Sequence, residues 1–104
     1  MADLIGALDQ GTSSTRFIVT NILGEVQGYC QKAHLQTYPK PGWVEQNPIT
    51  ILENSALVIR SALQTSGISI QNISAISITN QRETTVLWDR TTGQPLSPAI
   101  SWMD

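Results

Sequence analysis

One stretch of the sequence has the pattern of a long helix with both a start and an end signal. Asn47 precedes Pro48, and a proline at the first helical position loses nothing by lacking an N–H group. Gly67 stands where a left-handed C-terminal cap is preferred. Between them, apolar residues recur at spacings of three and four and share one face: Ile49, Leu52, Ala56, Ile59 and Leu63. The pattern predicts a helix whose apolar face covers a sheet.

Three runs before this helix have the composition of β-strands. Residues 4–8 are apolar, too few for a helix, and flanked by polar residues, as in a central strand buried on both faces. Residues 16–20 carry aromatic and β-branched side chains and follow a turn of small residues at 9–14. A second turn at 21–24 leads to residues 25–34, where Val26, Gly28 and Cys30 share one side. We expect an antiparallel meander.

The pattern of the remaining residues predicts an irregular connection and three more strands. Prolines interrupt residues 36–47, whereas residues 73–79 are apolar and β-branched. A strand reached through a helix is expected to lie parallel to its neighbour, by a right-handed crossover. Residues 84–88 continue as a strand, turned at 89–93 before the last apolar stretch near Ile100. The prediction is an α/β fold with a mixed sheet in the order β-β-β-α-β-β-β.

A single helix leaves part of such a sheet without cover. The predicted helix covers one face, while alternate apolar residues of the strands at 4–8 and 73–79 face the other side. Large exposed apolar patches are unusual on soluble monomers. We therefore expect the isolated chain to self-associate.

Composition limits the classes of function. The chain has 104 residues, six basic and eight acidic, so it fits one domain and lacks the basic footprint of a nucleic-acid-binding protein. Asp3 stands where a secretory signal needs basic residues, and no apolar run approaches the ~20 residues that cross a bilayer. Cys30 is the only cysteine, which excludes an internal disulfide and favours a packed strand residue; His34 lacks a partner pattern, so it is predicted to be a satisfied or solvent-facing histidine. The prediction is a cytoplasmic protein that binds neither nucleic acid nor membranes.

Two polar loops follow the strands that we expect to be parallel neighbours. Ligands bind beyond the carboxyl ends of parallel strands, so residues 9–14 and 80–83 should meet at one site. The first loop offers backbone N–H groups and the hydroxyls of Thr12, Ser13 and Ser14 to a phosphate, and Gly11 allows close approach. Taken alone, this turn is equally consistent with an ordinary polar hairpin.

Charged residues extend both loops. Asp9, at a strand end, is suited to hold Mg²⁺ through its waters, and Arg16 either adds positive charge near phosphates or lies on a solvated face. Arg82 and Glu83 pair a donor fork with an acceptor, which suits the hydroxyls of a small uncharged molecule, with Trp102 as an apolar wall. On spacing alone, an exposed ion pair between Arg82 and Glu83 is the more frequent arrangement.

Three runs resemble motifs at the start of the FGGY carbohydrate kinase family. They are LDQGTSSTR at residues 8–16, GWVEQNP at 42–48 and TNQRETTVLWD at 79–89, in the order and spacing of that family. The NQRETT portion is more similar to the glycerol kinases of the family than to its xylulose or gluconate kinases. The resemblance implies an actin-like, ribonuclease H-like fold in which two domains close over ATP and Mg²⁺, and the phosphorylation of glycerol to sn-glycerol 3-phosphate.

The resemblance also implies roles by position. It assigns the nucleotide phosphates to four residues: Thr12, Ser13, Ser14 and Arg16. It places Asp9 near the metal, with Arg82 and Glu83 on the glycerol hydroxyls and Trp102 against the carbons. Family members are about five times longer, so residues 1–104 would be the N-terminal part of the first domain. The general base and the adenine-binding domain would follow Asp104, leaving no catalytic residue in this part.

Three alternatives stay open at this point. The chain could belong to another FGGY sugar or polyol kinase, or to an actin-like ATPase or chaperone in which hydrolysis drives a conformational cycle. It could also belong to a sugar-binding or regulatory protein that keeps the fold without the chemistry. Arg82, Glu83 and Trp102 argue against an ATPase without an acceptor, because they form a set suited to a small polyhydroxylated molecule.

Overall fold

The computed structural model describes residues 3–104, so residues 1 and 2 of the predicted domain lie outside the described residues. The elements are β1 (Leu4–Gln10), β2 (Ser14–Thr20), β3 (Val26–Ala33), β4 (Glu45–Gln46), α1 (Pro48–Ser66), β5 (Ile73–Thr79) and β6 (Ala99–Ile100), with a 3₁₀ turn at Ile70–Asn72. In this range no helix is long and apolar enough to cross a membrane. The predicted α/β class is confirmed.

Four strands form one sheet in the order β3-β2-β1-β5. β2 is antiparallel to both β1 and β3, while β1 and β5 are parallel and joined through α1. The predicted meander, the inner position of the first strand and the parallel crossover strand are therefore confirmed. Since β1 and β5 run in one direction, their carboxyl ends share one edge, where Asp9 pairs with Thr79.

The end of the chain differs from the prediction. Residues 84–88 form no strand and pair only through isolated bridges, from Thr85 to Ile100 and from Trp88 to Pro95. Proline has no N–H group, so Pro95 and Pro98 interrupt the donors that a continuous ladder opposite this segment needs. β6 pairs instead with β4, which lies in the segment predicted to be irregular, as a separate two-stranded sheet. The predicted order β-β-β-α-β-β-β is wrong in this part.

The predicted turn at residues 89–93 is confirmed. The carboxylate of Asp89 accepts from the N–H groups of Thr91 and Thr92, both at 2.8 Å, and these bonds lower the pKa of Asp89, with the bond from Thr92 contributing most. Gly93 closes the turn with φ 76°, and its N–H donates to the Asp89 carbonyl at 2.8 Å. A positive φ carries little cost for glycine, which explains its place here.

Both predicted ends of α1 are confirmed. The side chain of Asn47 accepts from the N–H of Ile49 at 2.9 Å and from that of Thr50 at 3.4 Å. Gly67 has φ 66° and ends the helix, while the N–H of Ile68 donates to the Leu63 carbonyl at 3.0 Å. These caps satisfy backbone groups that a helix end otherwise leaves to water.

The predicted apolar face of α1 is only partly correct: Ile59 and Leu63 are partly buried and pack against the core, but the most deeply buried side of the helix is rotated from the predicted one. The buried helix residues are Asn54, Val58 and Ala62, whereas Leu52 is 67% exposed and Ala56 is also exposed. The helix packs on β3 and β2, and a Cβ atom at Gly28 would lie only 3.1 Å from the Ala62 carbonyl oxygen. The close approach requires small helix residues at the contact. Two apolar stripes share the helical period, so periodicity alone does not choose between them.

The core lies between α1 and the inner strands. Its buried members are Leu8, Phe17, Val19, Val58 and Ala62. The helix leaves the β5 side of the same face open, because Ile78 pairs in register with Leu8 and is nonetheless 68% exposed. Ile5 is exposed on the opposite face, as the alternation of the strand predicts. Uncovered apolar surface therefore occurs on both faces of the sheet.

We expect Gly6→Ala to destabilise the chain by about 1–3 kcal/mol, the typical effect of overpacking a core. A Cβ atom at Gly6 would lie 2.5 Å from Cζ and 2.9 Å from Cε1 of Phe17, a fully buried residue. Urea denaturation followed by circular dichroism measures the effect. Adding Phe17→Leu should make the Gly6→Ala change less costly, because the clashing ring atom is removed. Equal midpoints for Gly6→Ala and the unchanged chain would contradict this packing.

Candidate functional site

The turn between β1 and β2 is fixed by hydrogen bonds that its carbonyl groups accept. These carbonyls belong to Gly11, Thr12 and Ser13. The Gly11 oxygen accepts from Nε2 of Gln10 at 3.0 Å and lies 3.2 Å from Nε2 of His34. The Thr12 oxygen accepts from Nε2 of Gln46 at 3.0 Å, and the Ser13 oxygen from the backbone N–H of His34 at 3.0 Å. His34 is buried, so it does not face solvent.

These bonds orient the amide groups of the turn outward. The described peptide bonds are trans, and in a planar trans peptide the C=O and the following N–H point in opposite directions. With the Gly11 and Thr12 carbonyls held inward, the N–H groups of Thr12 and Ser13 point away from the body of the protein. Within the described chain, neither N–H donates a hydrogen bond. Backbone N–H groups and hydroxyls of this kind are the donors that suit an anion.

A charged pair lies beside the turn on the outer face of the sheet. Nη2 of Arg16 donates to Oδ2 of Asp9 at 2.8 Å, and Oγ1 of Thr79 donates to Oδ1 of Asp9 at 2.9 Å. The Arg16 and Asp9 side chains are 41% and 42% exposed. Ion pairs exposed to this degree contribute only ~0–1 kcal/mol, so a ligand of high charge density can displace this one at little cost.

Asp9 offers a single carboxylate to a divalent cation. In the described range, no group of three or more His, Cys, Asp or Glu side chains converges on a possible metal position. Mg²⁺ keeps several waters and commonly takes one or two carboxylates plus substrate phosphate oxygens. Asp9 fits that arrangement through a water molecule, because both of its oxygens already accept hydrogen bonds from Arg16 and Thr79.

The second predicted loop, residues 80–83, meets the turn in a cleft of about 400 Å³. The lining residues are Thr12, Asn80, Gln81, Arg82, Glu83 and Trp102. Glu83 has φ 69°, a left-handed conformation that is uncommon without glycine, and strain of this kind is frequent at functional sites. The structure thus brings Arg82, Glu83 and Trp102 together, as the sequence predicts. Within residues 3–104, Arg82 and Glu83 form no ion pair with each other.

One hydrogen bond joins the two predicted halves of the site. Nε1 of Trp102 donates to Oγ1 of Thr12 at 2.8 Å. The Thr12 oxygen therefore acts as acceptor toward the indole and keeps its own O–H for a ligand. Because the indole N–H is already used, Trp102 offers a ligand in the cleft its apolar ring face. Asp9 and Arg16 lie next to this cleft but do not line it.

Sequence reasoning assigned no role to three glutamines at the cleft: Gln81, which lines it, and Gln10 and Gln46, which do not. Gln46 and Gln81 are buried, with exposures of 1% and 8%. Glutamine is mostly exposed in proteins, so a polar side chain in a loop gave no reason to expect burial. One signal was available, because each of the three runs that resemble FGGY kinases contains one of these glutamines.

Comparison with known proteins agrees with this geometry. Residues 4–104 match the N-terminal domain of the FGGY family of carbohydrate kinases. Glycerol kinase of Acidiphilium cryptum is 53% identical over 104 residues, which are 100% of this chain and 21% of that protein. Glycerol kinase of Plasmodium falciparum, solved with ADP, superposes with a TM-score of 0.84 at 33% identity, over 97% of this chain and 20% of the other.

Xylulose kinase of Rhodospirillum rubrum superposes with a TM-score of 0.88 at 26% identity, over 97% of this chain and 20% of that chain. The predicted actin-like fold is thus confirmed by kinases with two different names. The chain spans about one fifth of the length of the curated relatives it matches.

Proposed function

This chain belongs to the FGGY family of carbohydrate kinases, and from that premise we propose that it supplies the phosphate-binding turn and part of the glycerol site of an ATP-dependent glycerol kinase. Its sequence is about half identical to proteins named glycerol kinase, each about five times as long. We propose further that residues 1–104 are the N-terminal part of the first of two domains. ATP as the phosphoryl donor fits a cytoplasmic location.

The cleft shared by Thr12 and the Arg82 loop is the observation that carries this proposal. In-line phosphoryl transfer depends mainly on positioning and on stabilising spread negative charge. The outward N–H groups of Thr12 and Ser13 suit the phosphates, and the facing loop suits the acceptor. Arg82 would donate to one glycerol hydroxyl, Glu83 would accept from another, and the ring of Trp102 would pack on the carbons.

The charged pair completes the nucleotide side of the proposal. ATP supplies the phosphoryl group, and Mg²⁺ neutralises charge on its phosphates. Asp9 would hold that ion through water, and Arg16, once released from Asp9, would add positive charge beside the Ser13 and Ser14 hydroxyls. The base that takes the glycerol proton and the adenine site would belong to the remaining four fifths of the enzyme.

The nearest competing proposal is a kinase for another sugar or polyol. The TM-score to a xylulose kinase, 0.88, is no lower than the 0.84 to a glycerol kinase, so the fold does not choose between acceptors. The observation that favours glycerol is the sequence identity, 53% to a protein of that name. Glycerol, xylulose and gluconate should therefore be compared as acceptors in one assay, and a preference for either sugar would replace the proposed substrate.

Replacing Arg82 by Ala should lower kcat/KM for glycerol about ten- to 150-fold, since a hydrogen bond to a charged group contributes ~1.5–3 kcal/mol. The test uses the full-length kinase, meaning this chain continued by its own remaining domains or by those of the Acidiphilium cryptum relative. Binding of ATP should change far less, because Arg82 lines the acceptor cleft. Arg90→Ala, at an exposed arginine outside the cleft, is the matched control. Unchanged glycerol kinetics in Arg82→Ala would remove this residue from the site.

A further inference from the structure

A buried hydrogen-bond network lies behind the cleft, with the side-chain amide of Gln81 at its centre. Nε2 of Gln81 donates to Oε1 of Gln46 at 2.9 Å and to Oε1 of Gln10 at 3.2 Å. Oε1 of Gln81 accepts from Oγ1 of Thr84 at 3.2 Å. Both donors and one acceptor position of this amide are thus in use, so the network is satisfied at its centre.

The network reaches the phosphate turn on one side. Gln46 and Gln10, which both accept from Gln81, each donate to a carbonyl of the turn. Nε2 of Gln46 donates to the Thr12 carbonyl and Nε2 of Gln10 to the Gly11 carbonyl, both at 3.0 Å. Gln46 must present its NH₂ group to a carbonyl, which leaves its oxygen for Gln81 and fixes the orientation of both amides. These are the two carbonyls whose inward direction turns the Thr12 and Ser13 N–H groups outward.

The network reaches the acceptor loop on the other side. Gln81 directly precedes Arg82, and Oγ1 of Thr84 accepts from the backbone N–H of Trp102 at 3.1 Å. One buried amide therefore fixes the start of the acceptor loop, the backbone of its aromatic wall and the peptide planes of the turn. The three runs of sequence that resemble the family meet at this point.

Resting on the proposed function, we propose that Gln81 is a positioning residue that couples the two half-sites, so that each ligand binds more tightly when the other is present. A ligand that orders the turn also orders the loop through the shared amide, and the second ligand then loses less conformational freedom. Coupling between binding sites is reciprocal and amounts to about 5–150-fold in proteins. The hydrogen bond from Trp102 to Thr12 is a second, direct connection between the halves.

Gln81→Glu tests the donors while keeping the shape of the side chain. The ionised carboxylate has no N–H to give and would face the oxygens of Gln46 and Gln10, so we expect the coupling to fall several-fold, toward one. Gln64→Glu places the same change on an exposed helix residue and should leave the coupling unchanged. Thr84→Val removes the hydroxyl that Gln81 and Trp102 share, whereas Thr84→Ser keeps it and should retain the wild-type coupling.

The experiment measures glycerol binding to the full-length kinase by calorimetry, with and without a non-hydrolysable ATP analogue and Mg²⁺. The expected result is a Kd for glycerol several-fold lower with the analogue in wild type, Thr84→Ser and Gln64→Glu, and nearly equal values in Gln81→Glu and Thr84→Val. Hydrogen exchange gives a readout without turnover, since glycerol should slow exchange in residues 8–16 of the wild type and not of Gln81→Glu.

Three outcomes separate this inference from its premise. Glycerol binding with full coupling in folded Gln81→Glu overturns the positioning role and leaves the proposed function intact. Wild-type protein that binds the ATP analogue but not glycerol overturns the proposed function. If Gln81→Glu fails to fold by circular dichroism, Thr84→Val against Thr84→Ser decides, and equal coupling in that pair overturns the inference.

Discussion

The isolated 104-residue chain should show no glycerol phosphorylation above background. Its cleft is open, and among residues 3–104 the only carboxylate that lines it is Glu83, which the proposal assigns to holding a glycerol hydroxyl. Loss of a positioned general base alone lowers rates by ~10²–10⁴-fold, and an open cleft also fails to exclude water. Under the proposal the second nucleotide-binding wall belongs to the rest of the kinase, so the combined loss should exceed the range of an ordinary assay.

Release of ADP that depends on glycerol, followed in a coupled assay, provides the measurement. The full-length kinase at the same molar concentration serves as the positive control, and the chain with Arg82→Ala serves as the control for a contaminating kinase. Sustained turnover by the pure chain that disappears with Arg82→Ala would show that these residues hold a complete active site. It would overturn the division of roles proposed above.

The parts of the fold that follow from local chemistry were predictable from the sequence. Asn47 and Gly67 mark the ends of α1 because each satisfies a local backbone requirement, and both predicted ends are confirmed. The strand composition of residues 4–8 and 73–79 likewise identified β1 and β5. A strand reached through a helix pairs in parallel, so the common edge of Asp9 and Thr79 was also predictable.

The prediction was wrong where the local structure depends on residues outside the segment itself. The most deeply buried side of α1 includes Ala62, whose backbone approaches β3 closely at Gly28. Residues 84–88 do not form the predicted strand, because the segment opposite them includes Pro95, which pairs with Trp88 and has no N–H group to donate. Neither the periodicity of the helix nor the β-propensity of residues 84–88 contains this information.

The residues of the candidate site were predictable from the sequence, but the hydrogen bonds that hold them in place were not. Residue types and strand ends brought Thr12, Arg82 and Glu83 to one location, and the structure has all three in one cleft. The bond from Trp102 to Thr12 joins residues 90 positions apart and required the structure. The same holds for Gln81, because burial of an amide depends on partners that no local pattern reveals. The assigned ligand contacts stay predictions.

The isolated chain should also self-associate through the β5 side of its sheet. β5 is an edge strand, so its outer N–H and C=O groups are available to another strand, and its own residue Ile78 is 68% exposed. Covering ~400 Å² of apolar surface contributes about 10 kcal/mol before the costs of association. Sedimentation equilibrium over a wide concentration range should show mass above the 11.4 kDa of the monomer.

A charge on this edge tests whether β5 is the contact. Ile78→Lys should return the chain to the monomer mass, because a lysine on an edge strand opposes pairing and would have to lose its hydration in an apolar contact. Leu23→Lys is the matched control, since Leu23 is 79% exposed in the turn between β2 and β3, away from β5. That variant should associate like the unchanged chain. A chain that stays monomeric at all concentrations contradicts self-association, and dissociation by Leu23→Lys but not by Ile78→Lys would move the contact to the opposite edge of the sheet.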